Sequence, residues 1–386
     1  MNPRLAICAL CFIACTSGGT ATPTPSPPPL PAVAATTPSL LPYYGSYRGS
    51  DGRIVVIARL GWFFDMRDSS YRTIYAGSAA NRFTIGERFA VPLPKFADLT
   101  FGPDTLTLAT AHGGYVAARV KYAQTDVTIP ATGAQLAGTL TQPLSAGPHP
   151  GVVIVHGSEP GQRYFYDIWV GLYTSLGVAV LTYDKRGQGS STGTYPGEFP
   201  TDESLAIYAD DASAALNLLA TQSGIDGKRV GFHGGSQGGW TVPLAIMRHH
   251  QATFAVLVSA PATTVGQTTL WKDFSNGGQT APTQTAGEME AAVRANHAGY
   301  DPAPALRAMN VPALWLLGIF DRTVPTNLCS EILARLQKPY FTVQMIPTGH
   351  GLLITTTGML ADDDKSTGLA PAVLSSITTF LHQTVG

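Results

Sequence analysis

The stretch of residues 230–240 constrains the fold of this chain more than any other, because it sets a serine in a glycine-rich turn between a predicted strand and a predicted helix. The turn carries a Gly-x-Ser-x-Gly pattern with Ser236 at its centre, and a short apolar run precedes it. In a nucleophile elbow of this kind the serine adopts a strained backbone conformation that aims its hydroxyl away from the sheet. We expect side chains two residues before and after Ser236, at Gly234 and Gly238, to collide in the turn.

Length and charge exclude several classes of protein. The chain has 386 residues, 44% of them hydrophobic and 13% charged, which is enough for one large domain and one small domain. A formal net charge of -1 gives no electrostatic footprint for nucleic acid. After the extreme N-terminus, no apolar run in the sequence is long enough to span a bilayer. No spacing of histidines and carboxylates in the sequence resembles a metal site.

The first 21 residues are predicted to be a signal peptide. Arg4 forms its charged start, and the apolar run that follows is too short for a membrane span. Residues 12–15 resemble the lipobox of bacterial lipoproteins, in which Cys15 would become the lipidated first residue. Cleavage after Ala21 is the alternative and would give a plainly secreted protein. Both routes export the chain, either to the bacterial cell envelope (periplasm or outer membrane) or to the outside.

Residues 22–42 are rich in Pro, Thr, Ser and Ala, and we expect an extended linker there that forms no core. At ~3.1 Å per residue, such a linker would hold the body of the protein several tens of Å from a membrane. This reach favours anchoring through a lipidated Cys15. Cys329 is the one cysteine outside the signal peptide, so we expect no intramolecular disulfide and a small buried hydrophobic role for it.

Residues 43–123 are predicted to form a small all-β domain. Runs of β-branched and aromatic residues recur there, separated by Gly, Asn and Asp at short intervals. The spacing indicates an antiparallel meander, a sandwich or a half-barrel. Three roles stay open for this domain, namely a structural lid, a docking module, or a module that binds substrate or cell-wall polymer.

From residue 124 to the end of the sequence, short apolar strands alternate with helical patterns. This alternation predicts a mostly parallel central sheet with helices on both faces. After a hairpin, strands are predicted at residues 151–156, 178–183, 230–233, 254–259, 313–317 and 341–345, with helices at 168–176 and 202–219.

A serine hydroxyl is a poor nucleophile unless it has a base, an acid that orients the base, and donors for the oxyanion. Candidates lie just after predicted strands, where an open α/β sheet gathers its functional groups. Asp321 is the candidate acid and His350 is the candidate base, and each follows an apolar strand. The backbone N–H groups of Gln237 and Ser158 are the candidate oxyanion donors.

Other carboxylates and histidines are interpreted as structural. Asp301 is placed in a cap, well ahead of the strand before Asp321, and the acidic run 362–364 is predicted to stay solvated. His156 is predicted to fix the loop that carries Ser158, which we call the oxyanion loop. The remaining interpretations are strand packing for His233, helix surface for His249 and His250, and a loop held by ion pairs for residues 184–187.

Four phrases carry a resemblance to a known superfamily, namely VHGS (155–158), TYDKRGQGS (182–190), SQGGW (236–240) and GIFDRTVP (318–325). With them the chain resembles an α/β-hydrolase from about residue 124 to its end, and the order Ser, Asp, His is that of this superfamily. It is similar to bacterial serine esterases that carry a small N-terminal β domain. It departs from those relatives at Glu159, where they usually have glycine.

The resemblance implies a serine hydrolase that cleaves a small-molecule carboxylic ester through an acyl-enzyme intermediate on Ser236. His350 would be its base and Asp321 its orienting acid, and no cofactor is needed. Two alternatives stay open: a serine peptidase or acyl-peptidase of the same fold, and an envelope binding protein without catalysis. Thioesters and acylated sugars also remain open as substrates.

Residues 264–309 lie between two predicted strands, where this fold commonly inserts a cap. Apolar side chains among its polar residues would form a wall over Ser236, and we expect a preference for short to medium acyl chains. Trp271 and Phe274 are the candidate substrate-binding residues. The apolar residues of the segment are Leu270, Trp271, Phe274, Met289 and Val293.

Replacing the candidate lipidation site tests the anchor. Cys15→Ser is expected to release the protein from the membrane fraction or to block its maturation, because the thiol would carry the lipid. Fractionation of cells that express either form, followed by mass spectrometry of the mature N-terminus, measures this. A mature chain that begins at Thr22 would contradict lipidation and support plain secretion.

Overall fold

A closed barrel of eight antiparallel strands forms the N-terminal part of the computed structural model, which describes residues 40–386. The predicted signal peptide, Cys15 and the linker up to residue 39 lie outside the described residues. Each strand pairs with the next along the chain, and the last pairs with the first. The strands are β1 (Gly45–Gly49), β2 (Ile54–Ala58), β3 (Trp62–Asp65), β4 (Ser70–Ala76), β5 (Arg82–Gly86), β6 (Lys95–Phe101), β7 (Thr105–Thr110) and β8 (Gly113–Arg119).

Large apolar side chains fill the interior of the barrel. Phe63, Ile85 and Leu99 are at most 1% exposed, since alternate residues of each strand point inward. Eight strands enclose a space just wide enough for such side chains, so the barrel is a packed core. The predicted meander is confirmed, whereas the sandwich and the half-barrel are wrong, because β8 pairs with β1 and the eight strands close into one barrel without an open edge.

The barrel begins earlier than the sequence predicts. Leu40 is 2% exposed and belongs to the barrel core, and the backbone N–H of Tyr43 bonds its carbonyl at 2.8 Å. The last residues of the predicted linker are therefore part of the folded β domain.

The second part of the chain is a mixed sheet of eight strands. Its strands are β9 (Tyr122–Ala131), β10 (Ala134–Pro143), β11 (His149–Val155), β12 (Ala179–Tyr183), β13 (Ile225–Gly235), β14 (Ala255–Val258), β15 (Ala313–Gly318) and β16 (Phe341–Ile346). Their order across the sheet is β16-β15-β14-β13-β11-β12-β10-β9. Strand β10 is antiparallel to both its neighbours, and all other neighbouring strands are parallel. The predicted fold class, a mostly parallel sheet preceded by a small all-β domain, is confirmed.

Helices cover both faces of this sheet. A capping box starts α2, in which the Thr201 hydroxyl accepts from the backbone N–H of Ser204 at 3.1 Å. None of the helices within residues 40–386 is long and apolar enough to cross a membrane. They are α1 (Asp167–Ser175), α2 (Asp202–Ala220), α3 (Gly238–His249), α4 (Val265–Asp273), α5 (Ala286–Ala295), α6 (Ala303–Ala308), α7 (Thr326–Arg335), α8 (Leu360–Asp363) and α9 (Pro371–Val385).

The outer surface of the barrel shares one apolar core with the α/β sheet. Phe64, Tyr71 and Phe89 are at most 1% exposed and belong to the same buried cluster as Trp169 of α1. At the edge of this contact, the guanidinium of Arg59 donates two hydrogen bonds to the carboxylate of Asp167, at 3.0 and 2.6 Å. The barrel is thus packed as part of one body with the sheet.

Phe64→Ala tests this shared core. The substitution leaves a cavity between the barrel and the sheet and is expected to lower the free energy of unfolding by about 3–5 kcal/mol. Because both parts use the same core, unfolding in denaturant should remain one transition. Val116→Ala, on a side chain that is 58% exposed on the barrel, is the control and should change little. Separate barrel and sheet transitions would contradict the shared core.

Candidate active site

Ser236 lies in a strained turn between β13 and α3. Its backbone φ angle is 50°, in the left-handed region that residues other than glycine rarely adopt. Its N–H bonds the carbonyl of Val258 on the neighbouring strand at 3.1 Å, which ties the turn to the sheet. A methyl group on Gly234 would lie 2.8 Å from Val242 Cγ2, so the predicted collision on this side of the serine is present.

On the C-terminal side of Ser236, the steric collision occurs at Gly239 and not at Gly238, where it is predicted. A methyl group on Gly238 would meet nothing closer than 3.7 Å, so the expectation for this glycine is wrong. On Gly239 it would lie 2.7 Å from both the N and the O atom of Pro261. The loop after β14 crosses the start of α3 at this point, which leaves room for glycine only.

The side chains of Ser236, His350 and Asp321 come together at the carboxyl end of the parallel strands. His350 Nε2 lies 3.2 Å from Ser236 Oγ, and His350 Nδ1 lies 2.7 Å from Asp321 Oδ2. Because a carboxylate only accepts, Nδ1–H is the donor to Asp321, which leaves Nε2 as the acceptor that faces the serine. His350 and Asp321 are each 2% exposed.

Backbone donors hold the Asp321 carboxylate in place. Its Oδ1 accepts from the N–H groups of Thr323 at 2.7 Å and Val324 at 2.8 Å, while Oδ2 accepts from His350. The Ser259 hydroxyl donates to the carbonyl of His350 at 2.6 Å and fixes the backbone of the histidine loop. Both partners in the Asp–His contact therefore have fixed positions before any substrate binds.

The two candidate oxyanion donors flank the serine. A methyl group on Gly157 would lie 3.6 Å from Ser236 Cβ, so the loop that carries Ser158 runs beside the nucleophile. Within residues 40–386, neither the Gln237 N–H nor the Ser158 N–H donates to a protein acceptor. Two unpaired N–H groups beside a serine hydroxyl are what a developing oxyanion requires.

Lys185 holds the backbone of the loop that carries Ser158, a role that the sequence did not predict. Its ammonium is buried and donates to the carbonyls of Gly157 at 2.6 Å and Glu159 at 2.9 Å. Tyr195 OH donates to the carbonyl between them, that of Ser158, at 3.2 Å. Residues 184–187 are predicted to form a loop held by ion pairs. Arg186 does form such a pair, with the buried carboxylate of Asp211.

Glu159, the departure from the resembling esterases, is part of this support. Its carboxylate is buried and accepts from Tyr166 OH, and His156 Nδ1 lies 3.3 Å away. Burial raises the pKa of Glu159, but the hydrogen bond with His156, the charge of Lys185 and the hydrogen bond from Tyr166 outweigh it, so the pKa is lowered. The carboxylate is thus ionised and paired beneath the loop, and His156 fixes the loop as predicted.

The cap helices approach the acid side of the site. Trp271 is half buried, and its indole N–H donates to the backbone carbonyl of Asp321 at 2.9 Å. Phe274 is also half buried. Met289 and Val293 of the cap are buried, at 4% and 1% exposure.

The remaining predicted residues have mixed outcomes. Asp301 is exposed and accepts from the N–H of Ala303 at the start of α6. Burial lowers the pKa of His233 to about 3 and raises that of Cys329 to about 12, in keeping with their predicted packing roles. Asp363 is 1% exposed, so the prediction that the whole acidic run is solvated is wrong. In the described part of the chain, no three His, Cys, Asp or Glu side chains could hold a metal ion.

Known sequences resemble parts of this chain. The sequence model of the prolyl oligopeptidase family matches residues 166–356. An uncharacterized protein of Mycobacterium tuberculosis is 26% identical over 223 residues, which are 56% of this chain and 69% of that protein. Dipeptidyl peptidase 8 of Mus musculus is 27% identical over 249 residues, which are 59% of this chain but 26% of that peptidase.

A solved structure agrees on the fold. An esterase of Pyrococcus furiosus superposes with a TM-score of 0.51 at 17% identity, covering 69% of this chain and 92% of the esterase. At this identity the likeness concerns the fold alone. Together with the strand order and the family match, it identifies the second part of the chain as an α/β-hydrolase domain, and the family match supports a serine hydrolase.

Lys185→Met tests the support of the oxyanion loop. The change leaves two buried carbonyls and the Glu159 carboxylate without their cation, and is expected to lower the free energy of unfolding by about 3 kcal/mol. A loosened loop should also slow the reaction of Ser236 with a fluorophosphonate by about 10²-fold. Lys95→Met, which removes an exposed barrel lysine paired with Asp98, is the control. Equal labelling rates in the two variants would show that Lys185 does not support the loop.

Proposed function

We propose that this protein is a serine hydrolase that cleaves carboxylic esters through an acyl-enzyme intermediate. The observation that carries the proposal is the unbroken hydrogen-bonded series from Asp321 through His350 to Ser236, at 2.7 and 3.2 Å. The serine stands in a strained turn beside two unpaired backbone N–H groups, an arrangement suited to acyl transfer.

In the proposed reaction, Ser236 Oγ attacks the acyl carbon while His350 Nε2 takes its proton. Asp321 holds the ring in the required tautomer and stabilises the imidazolium that forms. The N–H groups of Gln237 and Ser158 stabilise the oxyanion, and the loss of one such donor typically costs ~3 kcal/mol of activation free energy. His350 then protonates the leaving alcohol, and a water molecule that it activates releases the acid.

We propose small esters and not peptides as substrates, as the resemblance to serine esterases implies. The interior of the β barrel is occupied by packed side chains such as Phe63 and Phe101, so the barrel itself provides no channel for a substrate. The half-buried Trp271 and Phe274 of the cap are proposed to contact the acyl chain, with a preference for short to medium lengths. The enzyme is further proposed to be exported to the cell envelope, through lipidated Cys15 or by secretion.

Peptide hydrolysis is the second candidate function. It is favoured by the match to the prolyl oligopeptidase family and by the similarity to dipeptidyl peptidase 8. The two candidates share the nucleophile and the base and differ in the leaving group, which is an alcohol in one and an amine in the other. Comparing kcat/KM for p-nitrophenyl esters and for peptidyl p-nitroanilides distinguishes them. Faster turnover of the anilides would reverse our choice.

Ser236→Ala tests the proposed nucleophile. The change removes the attacking oxygen, so ester hydrolysis and fluorophosphonate labelling should both disappear, while the thermal unfolding temperature stays nearly unchanged. Ser375→Ala, on the exposed side of α9, is the matched control and should retain full activity. In a further arm, Asp321→Asn should lower turnover by up to ~10⁴ by favouring the wrong tautomer of His350. Turnover in purified Ser236→Ala protein would refute the assignment, and unlabelled wild type would favour a non-catalytic binding protein.

A further inference from the structure

The short helix α8 lies where several parts of the molecule meet. Its first residue, Leu360, donates to the carbonyl of Gly278 in the cap at 3.0 Å. Just after the helix, the carbonyl of Asp364 accepts from Ala90 of the barrel, also at 3.0 Å. Just before it, Gly358 passes so close to the loop of the proposed acid that a methyl group there would lie 1.7 Å from the carbonyl oxygen of Phe320. The cap, the barrel and the acid loop therefore all hold this helix in place.

Asp363, the last residue of α8, faces the histidine loop. A methyl group on Gly349 would lie 3.2 and 3.4 Å from the two carboxyl oxygens of Asp363, and Gly349 immediately precedes His350. Asp363 is 1% exposed, and within residues 40–386 no donor bonds either of its oxygens. A buried carboxyl without donors favours its neutral form, so this group differs from the paired Asp321.

The charges around Asp363 act in the same direction as its burial. Burial is the largest cause, and the negative charges of Asp321, Asp364 and Asp362 add to it, so that the pKa of Asp363 is raised to about 7. Three cations nearby have other partners: Arg322 donates to the carbonyl of Thr357, Lys365 to Asp362, and Arg88 to the carbonyl of Lys365. The titratable and charged groups on the segments that contact this region include His350, Asp321, Arg322, Lys272, Glu87, Arg88, Tyr75, Asp362, Asp364 and Lys365.

We propose that Asp363 is a positioning residue for the Asp321–His350 pair, a second buried carboxyl whose charge determines how strong a base His350 is. This inference rests on the proposed function of Ser236 and extends it to the groups behind the base. When Asp363 is neutral, its carboxyl packs against the histidine loop and leaves one negative charge, that of Asp321, to stabilise the imidazolium. When Asp363 is ionised, a second negative charge favours the protonated form of His350.

The direction of the effect follows from these charges. As the pH rises through neutrality, Asp363 loses its proton and His350 becomes the stronger base, so proton transfer from Ser236 becomes easier. Wild-type kcat/KM should therefore rise through two ionisations, one of them that of Asp363. Stability changes in the opposite direction. Because the folded-state pKa of Asp363 is raised, its contribution to stability is complete below about pH 4 and is lost as the pH rises through about 7.

Asp363→Asn is the test, because the amide has the shape of the neutral acid and cannot ionise. The ratio of wild-type to variant kcat/KM for a p-nitrophenyl ester should be near one at about pH 5.5 and rise to about fivefold to tenfold at about pH 8.5. The rate of fluorophosphonate labelling should follow the same ratio. Asp362→Asn is the matched control on the same helix, since its half-exposed carboxylate is already paired, with Lys365 and with the Thr357 hydroxyl, and it should keep both ionisations.

Each outcome decides a different point. Loss of the second ionisation in Asp363→Asn but not in Asp362→Asn supports the inference. If the thermal unfolding temperature of Asp363→Asn loses its dependence on pH while kcat/KM keeps the wild-type profile, Asp363 is only structural and the inference is wrong. If Asp363→Asn does not fold, the pH profile of wild-type labelling decides. A profile with only one ionisation would overturn this inference and leave the proposed function of Ser236 intact. A wild type that neither labels nor turns over esters would instead reject the proposed function.

Discussion

The buried contact between Asp321 and His350 is the interaction on which the rest of the site depends. An ionised carboxylate that is 2% exposed would be strongly unfavourable without partners, and it accepts from two backbone N–H groups and from the imidazole. These bonds fix the plane and tautomer of the ring, which brings Nε2 to 3.2 Å from Ser236 Oγ. The contact forms only if the loops after β15 and β16 meet, so the register of these two parallel strands is part of the site.

A separate set of buried polar groups stabilises the other side of the serine. Lys185 follows β12 and reaches under the loop after β11, where its ammonium binds two carbonyls beside the Glu159 carboxylate. Each of these charges would be costly to bury alone, but together they satisfy one another and hold the loop backbone. A loop held in this way needs no reorganisation when negative charge develops next to it, which is the condition for efficient oxyanion stabilisation.

The barrel is connected to the site through the segment that follows α8. The N–H groups of Phe89 and Ala90 bond the carbonyls of Ser366 and Asp364, and the carbonyl of Gly368 in turn accepts from Ile354 in the histidine loop. The small β domain therefore supports the backbone around His350 as well as covering one face of the sheet. Because the barrel interior is filled, its packing explains two contributions of the small β domain. These are the support of the histidine loop and the apolar core that the barrel shares with the sheet.

The sequence by itself determined the fold class and the order of the proposed catalytic residues. Parallel strands deliver the residues that follow them to one edge of the sheet, so Asp321 and His350, each placed just after an apolar strand, were predictable companions of Ser236. Only the tertiary structure decided which polar residues are buried. Lys185 and Asp363 lie in charged stretches that are typical of solvated loops, and nothing local distinguishes them from their exposed neighbours. Their burial results from contacts with segments far away in the sequence, and long-range packing of this kind leaves no periodic signal in the chain.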